Sequence, residues 1–152
     1  MPLDVPPGPQ PLIVSNGDSS SEAFSLTVAP TAPAIFFYPA VAIVKSADYS
    51  LVSDANPAHA GDTVLVMVTG LGQTTPPLAT GQIVPVGTTA NTAPVTATIA
   101  GRSVTVTSST AYPLYPGLYQ VAITVPAGVI GTAPLVVQIG GVNSNSVNIT
   151  VR

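Results

Sequence analysis

Apolar and hydroxyl side chains alternate along short segments of this chain, and this alternation limits the fold more than any other feature. In residues 95–101, VTATIAG, Val95 and Ile99 fall on one face and Thr96 and Thr98 fall on the other. A period of two places successive side chains on opposite faces of a strand, whereas a helix needs a period near 3.6. The chain is therefore predicted to be all-β.

Further segments with the same alternation are separated by turns rich in Gly and Pro. They are residues 63–70, 102–108, 118–126, 134–141 and 146–151. A tight hairpin is expected at residues 100–102, and residues 34–44 supply one or two strands broken at Pro39. Within the long stretch 70–94, only residues 82–86 have the pattern of a strand. Short alternating strands with frequent turns are typical of two packed sheets, so the predicted fold is an Ig-like antiparallel β-sandwich.

Charged residues make up only 6% of the chain, against about 25% in an ordinary soluble protein. The basic side chains are Lys45, Arg102 and Arg152, too few to form a phosphate-binding patch, so nucleic acid is excluded as a partner. No stretch reaches 18 apolar residues free of Pro and Gly, so insertion into a membrane is not expected. The absence of cysteine excludes thiolate-bound metals and a cysteine nucleophile.

The polar surface of such a chain must be built from Thr, Ser, Asn and Gln. This composition is typical of secreted β-proteins and of surfaces that pack against copies of themselves, because a low net charge weakens repulsion between molecules. An extracellular or cell-surface location is therefore expected. Residues 2–10, PLDVPPGPQ, do not form a signal peptide, so the chain is either a mature or excised fragment or cytosolic, and the composition favours the fragment.

A segment near the start of the chain is repeated near its end. Residues 11–28, PLIVSNGDSSSEAFSLTV, align without a gap on residues 134–151, PLVVQIGGVNSNSVNITV. The alignment places Phe24 on Val147 and keeps apolar residues on apolar residues at alternate positions. A slip of one residue would reverse the two faces of a strand, so the first copy is predicted to be a closing hairpin of a sandwich with its apolar face intact.

A two-stranded hairpin is only marginally stable alone in water, so this hairpin is expected to dock. Two units follow: a Pro-rich leader with the docking hairpin (1–29) and the Ig-like sandwich (30–152). Docking could occur on its own sandwich over Leu65 and Met67, on a neighbouring copy by strand addition, or within a tandem array of domains. The residues expected at the subunit interface are Leu12, Ile13, Val14, Phe24, Leu26, Val28, Leu65 and Met67.

Several segments together resemble a known family. They are APAIFFY (32–38), NPAHAGDTVLVMVTGLG (56–72), PPLATGQ (76–82), PVTATIAGR (94–102), PGLYQVAITVPAGV (116–129) and APLVVQIGGVNSNSVNITV (133–151). In this order they resemble the Solibacter-type uncharacterised C-terminal domain of large secreted bacterial proteins, over about residues 30–152. The resemblance implies an extracellular Ig-like sandwich, similar to IPT/TIG domains, without known catalytic residues. In tandem members a closing hairpin leads into the next domain as in residues 11–36, but here the body of the preceding domain is missing.

The predicted function is an extracellular structural subunit that assembles with copies of itself into a filament, because a head-to-tail contact of this kind does not close on itself. The alternative is a non-catalytic surface or adhesion module of a larger secreted protein with tandem Ig-like domains. Such a module could bind carbohydrate, with Tyr112 and Tyr115 as the candidate ligand contacts. Tyr119 shares a face with Val121 and Ile123, so it is expected in the core, as in the tyrosine corner of Ig sandwiches.

Catalytic and metal-binding arrangements have little support in the sequence. A Ser–His–Asp triad would need His59, the only histidine, with Asp62 or Asp54. These two aspartates and Asp48 match no known calcium loop, and TGLGQTT (69–75) lacks the lysine and the helix of a phosphate-binding loop. The only lysine, Lys45, could form an isopeptide bond with an asparagine beside a buried acid. We expect no enzymatic activity, no cofactor and no metal.

Overall fold

A computed structural model describes residues 4–37 and 42–152, and the break predicted at Pro39 lies outside them. Within these residues the chain forms strands and turns without a helix, which confirms the all-β prediction. In chain order the strands are β1 (Gly8–Leu12), β2 (Ser15–Asn16), β3 (Ser19–Ser20), β4 (Phe24–Val28), β5 (Ala34–Ile35), β6 (Ile43–Lys45), β7 (Thr63–Thr69), β8 (Val95–Ile99), β9 (Arg102–Val104), β10 (Val106–Ala111), β11 (Leu118–Thr124), β12 (Gly131–Ile139), β13 (Val142–Asn143) and β14 (Val147–Val151).

Two antiparallel sheets form the body of the protein. One has the order β10-β11-β7-β5, with β6 also paired to β7, and the other has the order β13-β12-β8-β9, with β14 also paired to β12. Their inner faces share one apolar core. Val66 and Val121 enter it from the first sheet and Ile99, Leu135 and Ile149 from the second, each no more than 1% exposed. The predicted antiparallel β-sandwich is therefore confirmed.

The alternation from which the fold was predicted appears directly in β8. Val95, Ala97 and Ile99 are buried, whereas Thr96 is exposed and Thr98 is half-buried. The apolar side chains therefore fill the space between the sheets, and the threonines face outward. The same period of two that identifies a strand in the sequence also identifies which of its faces is inside.

The predicted hairpin after β8 is present, but the following strand differs from the prediction. Ala100 and Gly101 have φ of 51° and 73°, the positive values that a two-residue hairpin turn requires. Residues 102–108 were predicted to be one strand and instead divide at Thr105. The part before Thr105 pairs with β8, and the part after it pairs with β11 in the other sheet. The chain therefore passes from one sheet to the other at Thr105, between two edge strands of the sandwich.

Residues 82–86 form no strand, contrary to the prediction. Pro85 has no N–H to donate to a ladder, and its carbonyl accepts a hydrogen bond from the N–H of Thr88 (3.1 Å) in a turn. Val84 is nevertheless buried. The segment therefore packs one apolar side chain against the sandwich as an irregular loop.

The linker between the hairpin and the sandwich passes unusually close to two glycines. The N–H of Ala32 donates to the carbonyl of Gly70 (2.8 Å). A Cβ atom on Gly70 would lie 1.9 Å from the Ala32 carbonyl oxygen, and one on Gly72 would lie 2.8 Å from the Pro30 carbonyl oxygen. The glycines of the TGLG motif thus make room for the linker backbone, and they hold the base of the hairpin at this end of the sandwich.

An asparagine in the closing hairpin ties the two sheets together. The Asn145 side chain accepts a hydrogen bond from the N–H of Ile35 through Oδ1 (2.7 Å) and donates to the Ile35 carbonyl through Nδ2 (3.2 Å). Ile35 is buried in the short strand β5, which pairs with β7 over only two residues. The asparagine therefore satisfies both backbone groups of a residue that its own sheet holds weakly.

Replacing Asn145 by alanine is expected to lower the free energy of unfolding by about 1–3 kcal/mol, because two backbone groups lose their partner. Asn143→Ala is the matched control: both asparagines are exposed, but Asn143 accepts a single hydrogen bond from the Gln138 side chain, so a change within about 0.5 kcal/mol is expected for it. Urea denaturation of both variants measures the difference. Equal effects of the two substitutions would contradict the role given to Asn145.

Candidate functional site

The N-terminal hairpin, residues 8–28, is formed by β1 to β4. The β1 strand pairs with β4 from Gly8 opposite Val28 to Leu12 opposite Phe24. The short strands β2 and β3 continue the same hairpin toward its tip, where Gly17 has φ of 59°. This segment is an ordered β-hairpin outside both sheets of the sandwich.

The closing hairpin, residues 131–151, has the same ladder at positions 123 residues later. Its pairs run from Gly131 opposite Val151 to Leu135 opposite Val147. Toward the tip, Gln138 lies opposite Asn143 and Ile139 lies opposite Val142. The equivalent pairs of the N-terminal hairpin are Ser15 with Ser20 and Asn16 with Ser19. The equivalence predicted from the repeat is thus confirmed in register.

The two hairpins also share an irregularity held by a side chain. In the N-terminal hairpin the Ser21 hydroxyl accepts a hydrogen bond from the Val14 N–H (3.0 Å) and donates to the Glu22 carbonyl (2.9 Å). In the closing hairpin the Ser144 hydroxyl makes the same two bonds, with the N–H of Val137 (3.0 Å) and the carbonyl of Asn145 (2.8 Å). The repeat therefore keeps a serine here because its hydroxyl makes the same two hydrogen bonds in each hairpin, at the irregularity in the second strand.

The two copies differ in what covers their apolar side chains. Leu135 and Val137 of the closing hairpin are fully buried, whereas their counterparts Leu12 and Val14 are 48% and 65% exposed. Phe24 is 66% exposed. Leu26 is half-buried and Val28 is buried, so only the base of the N-terminal hairpin is covered. The predicted interface residues in this hairpin are therefore accessible toward its tip.

The N-terminal hairpin also has an unpaired strand edge. The N–H and the carbonyl of Val14 both bond to Ser21. The backbone groups of successive residues in an antiparallel strand point to opposite sides of the strand. The N–H and carbonyl groups of Ile13 and Ser15 therefore point away from the hairpin. The counterparts of these two residues in the closing hairpin lie opposite Thr98 and Thr96 of β8. Within residues 4–37 and 42–152, no strand pairs with the equivalent edge of the N-terminal hairpin.

Leu65 and Met67, the other predicted interface residues, lie on the outer face of β7. Leu65 is only 7% exposed, because it lies between Ala122 on β11 and Val44 on β6 within the same sheet. Met67 is half-buried. Neighbouring strands thus cover Leu65 without help from the hairpin, and only Met67 offers partly free surface.

The tyrosines lie at the end of the sandwich where the hairpin begins. They border a cleft of about 660 Å³ that is lined in part by Tyr112, Tyr115 and Tyr119, with Val5 and Pro7 of the leader on another side. The rings of Tyr112 and Tyr115 stack with centroids 6.0 Å apart and planes 18° apart. The structure thus brings the two candidate ligand contacts together at the rim of a cleft.

The Pro-rich leader is held at this cleft rather than free in solvent. The Thr80 hydroxyl donates to the Asp4 carboxylate (2.7 Å), and the Gln10 amide donates to the Pro6 carbonyl (3.1 Å). The first of these bonds links the leader to the long loop between β7 and β8. The hydrogen bond to Thr80 therefore holds this part of the leader against the sandwich.

Tyr119 is buried, as predicted, and its hydroxyl donates to the Gly72 carbonyl (2.5 Å). This partner lies 47 residues away in the chain, whereas the tyrosine corner of Ig sandwiches bonds to backbone only a few residues upstream. The hydrogen bond therefore ties β11 to the glycine segment that receives the linker. Burial raises the pKa of the Tyr119 hydroxyl above its usual value of 10.0.

Tyr119→Phe is expected to lower the free energy of unfolding by about 0.5–1.5 kcal/mol at neutral pH, because the hydrogen bond to Gly72 is lost. The raised pKa means that the unfolded chain ionises first. The wild-type protein should therefore lose stability as the pH rises above about 10, and Tyr119→Phe should lose less. Denaturation at pH 7 and above pH 10 tests this, with the exposed Tyr115→Phe as control. Identical alkaline losses in all three proteins would contradict the assignment.

The residues considered for catalysis or metal binding are separated in the structure. The Asp62 carboxylate accepts a hydrogen bond from the backbone N–H of His59 (2.8 Å) and lies 3.6 Å from Nδ1 of its exposed imidazole. The other two aspartates have different partners: Asp54 accepts a hydrogen bond from the Thr150 hydroxyl, and Asp48 accepts one from the Ser50 hydroxyl. Among the described residues, no group of three His, Cys, Asp or Glu side chains could hold a metal ion. These residues also contain no helix long and apolar enough to cross a membrane.

Lys45 does meet an asparagine, but without the acid that an isopeptide bond requires. Its Nζ donates to Oδ1 of Asn56 (2.7 Å). The nearby carboxylate of Asp48 is exposed, and hydrogen bonds from the hydroxyl and N–H of Ser50 hold its pKa below 3.8. An ionised carboxylate cannot donate a proton to the reacting amide, so we assign this contact as a hydrogen bond that fixes the loop after β6.

Comparison with known proteins adds no relative. No family model, curated protein or solved structure matches this chain. The resemblance to the Solibacter-type domain therefore stays a prediction from the sequence, and the functional argument rests on the geometry of the N-terminal hairpin.

Proposed function

We propose that this chain is a structural subunit whose N-terminal hairpin completes a neighbouring Ig-like sandwich. One observation carries the proposal: residues 8–28 reproduce the ladder and the serine bonds of the closing hairpin, yet lack the covering that the closing hairpin has. A segment with the structure of the last two strands of a sandwich fits a sandwich that needs two strands. Strand addition of this kind joins subunits through backbone hydrogen bonds and side-chain pockets.

The exposed side chains supply the driving force for this contact. Full burial of a side chain such as Leu12, Val14 or Phe24 is worth roughly 1.5–3 kcal/mol. All three are about half exposed or more, and the free edge at Ile13 and Ser15 adds backbone hydrogen bonds to the gain. Association must also overcome the loss of translational and rotational freedom, so several contacts of this kind are needed together.

The location of the contact favours an end-to-end arrangement. The linker that leaves the hairpin is held at Gly70 and Gly72, and Thr31 lies beside Gly140 at the tip of the closing hairpin. The base of one hairpin therefore adjoins the tip of the other. A sandwich completed by the N-terminal hairpin would sit at the tyrosine end of this one, and repetition of such a contact gives a fibre.

The low charge of the chain favours a location outside the cell. Charged residues make up 6% of the sequence, with a formal net charge of −3, so mutual repulsion between subunits is weak. We propose an extracellular or cell-surface fibre or array, without catalytic activity. The filament of identical copies expected from the sequence is one form of this proposal.

Expression of epitope-tagged protein in a producing cell tests this function. The wild-type chain should be recovered in high-molecular-weight surface material, and Val14→Asp should shift it to the monomer fraction by placing a charge on the docking face. Val86→Asp is the matched control, because Val86 is fully exposed in a loop of the sandwich. Recovery of Val14→Asp in the same large material as the wild-type protein would refute the proposal.

A second candidate is a carbohydrate-binding module, favoured by the stacked tyrosine pair at the rim of the cleft. Sugar rings pack on exposed aromatic faces, and Tyr115 is 62% exposed. Binding on a glycan array should be lost with Tyr115→Ala and kept with Tyr49→Ala, since Tyr49 is equally exposed (68%) but does not line the cleft. Absence of binding by the wild-type chain would exclude this candidate.

A further inference from the structure

The closing hairpin defines the site that the N-terminal hairpin would fit. Residues 135–139 of β12 pair with β8, and the inner side chains of the hairpin enter the core. Asn145 reaches across to both backbone groups of Ile35. These three contacts form a cradle, which we define as the edge of β8, the inner face of the opposite sheet and the backbone of Ile35.

In every intact copy of this chain, the cradle already holds the closing hairpin. An intact second copy could accept the N-terminal hairpin there only by releasing residues 131–151. That exchange would expose Leu135, Val137 and Ile139, which are no more than 2% exposed in the sandwich. The comparison between the two hairpins therefore decides whether a copy of this chain can be the acceptor.

The N-terminal hairpin fits this cradle less well than the closing hairpin does. Asn16 would replace Ile139, and a buried amide without a partner costs free energy. Phe24 would replace Val147, which is 7% exposed, and overpacking a core in this way also destabilises it. Glu22 would take the place of Asn145, and an ionised carboxylate has no N–H to donate to the carbonyl of Ile35.

We propose, on the basis of the function proposed above, that the N-terminal hairpin closes an Ig-like sandwich that lacks its own last two strands and differs in chemistry from the sandwich of residues 30–152. An intact copy of this chain is not the acceptor, because its cradle is filled by a better-fitting hairpin. The better fit of the closing hairpin weighs against the homopolymer expected from the sequence. The chain instead contributes one complete sandwich and the closing hairpin of the next.

The differences between the two hairpins specify the chemistry of that partner. Its edge strand pairs antiparallel with residues 12–16 and alternates small apolar and hydroxyl side chains, as β8 does. Its core has room for the ring of Phe24 and a polar partner for Asn16. At the place where Ile35 meets Asn145, it presents N–H groups or a basic side chain, because Glu22 can only accept hydrogen bonds.

An acceptor made from this chain tests the inference. Leu135→Asp and Val137→Asp in the full-length protein open the cradle, and Val14→Asp in the same chain removes its capacity to donate. Co-refolding with one equivalent of wild-type chain, followed by size exclusion with light scattering, should give a 1:1 complex of twice the 15.2 kDa chain mass. The wild-type chain alone should remain a monomer under the same conditions.

The readout does not require the acceptor to fold alone, because recovery of its β-sheet signal on co-refolding is itself the measurement. A milder acceptor, with Val137→Asp and Val14→Asp only, repeats the test. Val14→Asp in the donor should lower its affinity for the acceptor at least tenfold, and Val86→Asp in the donor should leave this affinity unchanged. Because Asn16, Glu22 and Phe24 mismatch this cradle, a donor carrying Asn16→Ile, Glu22→Asn and Phe24→Val is tested beside the wild-type donor and should bind more tightly. Absence of a complex with this matched donor, or equal binding by the two donors, would overturn the inference.

Two other outcomes separate this inference from the proposed function. Wild-type chain that polymerises alone, and stops when Val14→Asp is introduced, would retain the docking function and overturn the inference, since an intact copy would then be an acceptor. Complex formation that is unchanged by Val14→Asp in the donor would overturn docking by the hairpin altogether, and with it both proposals.

Discussion

Gly70→Ala is expected to lower the free energy of unfolding by about 3 kcal/mol or more. The new Cβ atom would lie 1.9 Å from the carbonyl oxygen of Ala32, so the linker backbone must move and the hydrogen bond between the two residues is strained. The residue also has φ of 74°, which costs a non-glycine residue roughly 1–3 kcal/mol. Both effects act on the same position, and urea denaturation measures their sum.

Gly81→Ala separates the two contributions. Gly81 has nearly the same φ, 76°, but a Cβ atom there would meet nothing within 4 Å. Its substitution should therefore lower the free energy of unfolding only through the unfavourable backbone conformation, by roughly 1–3 kcal/mol at most. Any larger loss measured for Gly70→Ala is then caused by the close approach of the linker. Equal losses for the two variants would mean that the linker does not press on Gly70.

Leu135→Ala and Leu12→Ala should differ strongly, although the two leucines occupy the same position of the repeat. Leu135 is fully buried, so its truncation is expected to cost about 2–5 kcal/mol through lost burial and a cavity. Leu12 is 48% exposed, so its truncation should change the stability of the free chain by no more than about 0.5 kcal/mol. Chemical denaturation of both variants provides the comparison.

The same pair of variants also reports on docking. In a complex with the opened acceptor, Leu12→Ala should weaken binding, because the leucine becomes buried there. A large loss of stability from Leu12→Ala in the isolated chain would contradict the exposed position of the N-terminal hairpin. It would mean that the chain covers this hairpin itself.

The alternation of side chains made most of the sandwich predictable from the sequence. Val95 and Ile99 face inward and Thr96 outward because one side chain in two must enter the core. The repeat likewise predicted the register of the N-terminal hairpin, since a slip of one residue would place Phe24 and Val147 on opposite faces. Local patterns of this kind depend only on neighbouring residues, so one sequence is sufficient to find them.

Contacts between distant residues could not be predicted in the same way. Nothing next to Asn145 in the sequence indicates that it bonds to Ile35. Nothing in TGLG indicates that a side chain at Gly70 would collide with the backbone of Ala32. The change of sheet at Thr105 was missed because both halves of the segment keep a period of two. Leu65 was predicted to lie in the docking surface, because its burial depends on the neighbouring strands β6 and β11, which are far apart in the chain.

Hydrogen exchange at the free edge of the N-terminal hairpin tests the central claim most directly. In the isolated chain, the amides of Ile13 and Ser15 should exchange rapidly, whereas those of Val136 and Gln138, their counterparts on β12, should be protected by pairing with β8. In the complex with the opened acceptor, Ile13 and Ser15 should become protected as well. Protection of these two amides in the isolated chain, or rapid exchange in the complex, would contradict the proposal that this hairpin completes a neighbouring sandwich.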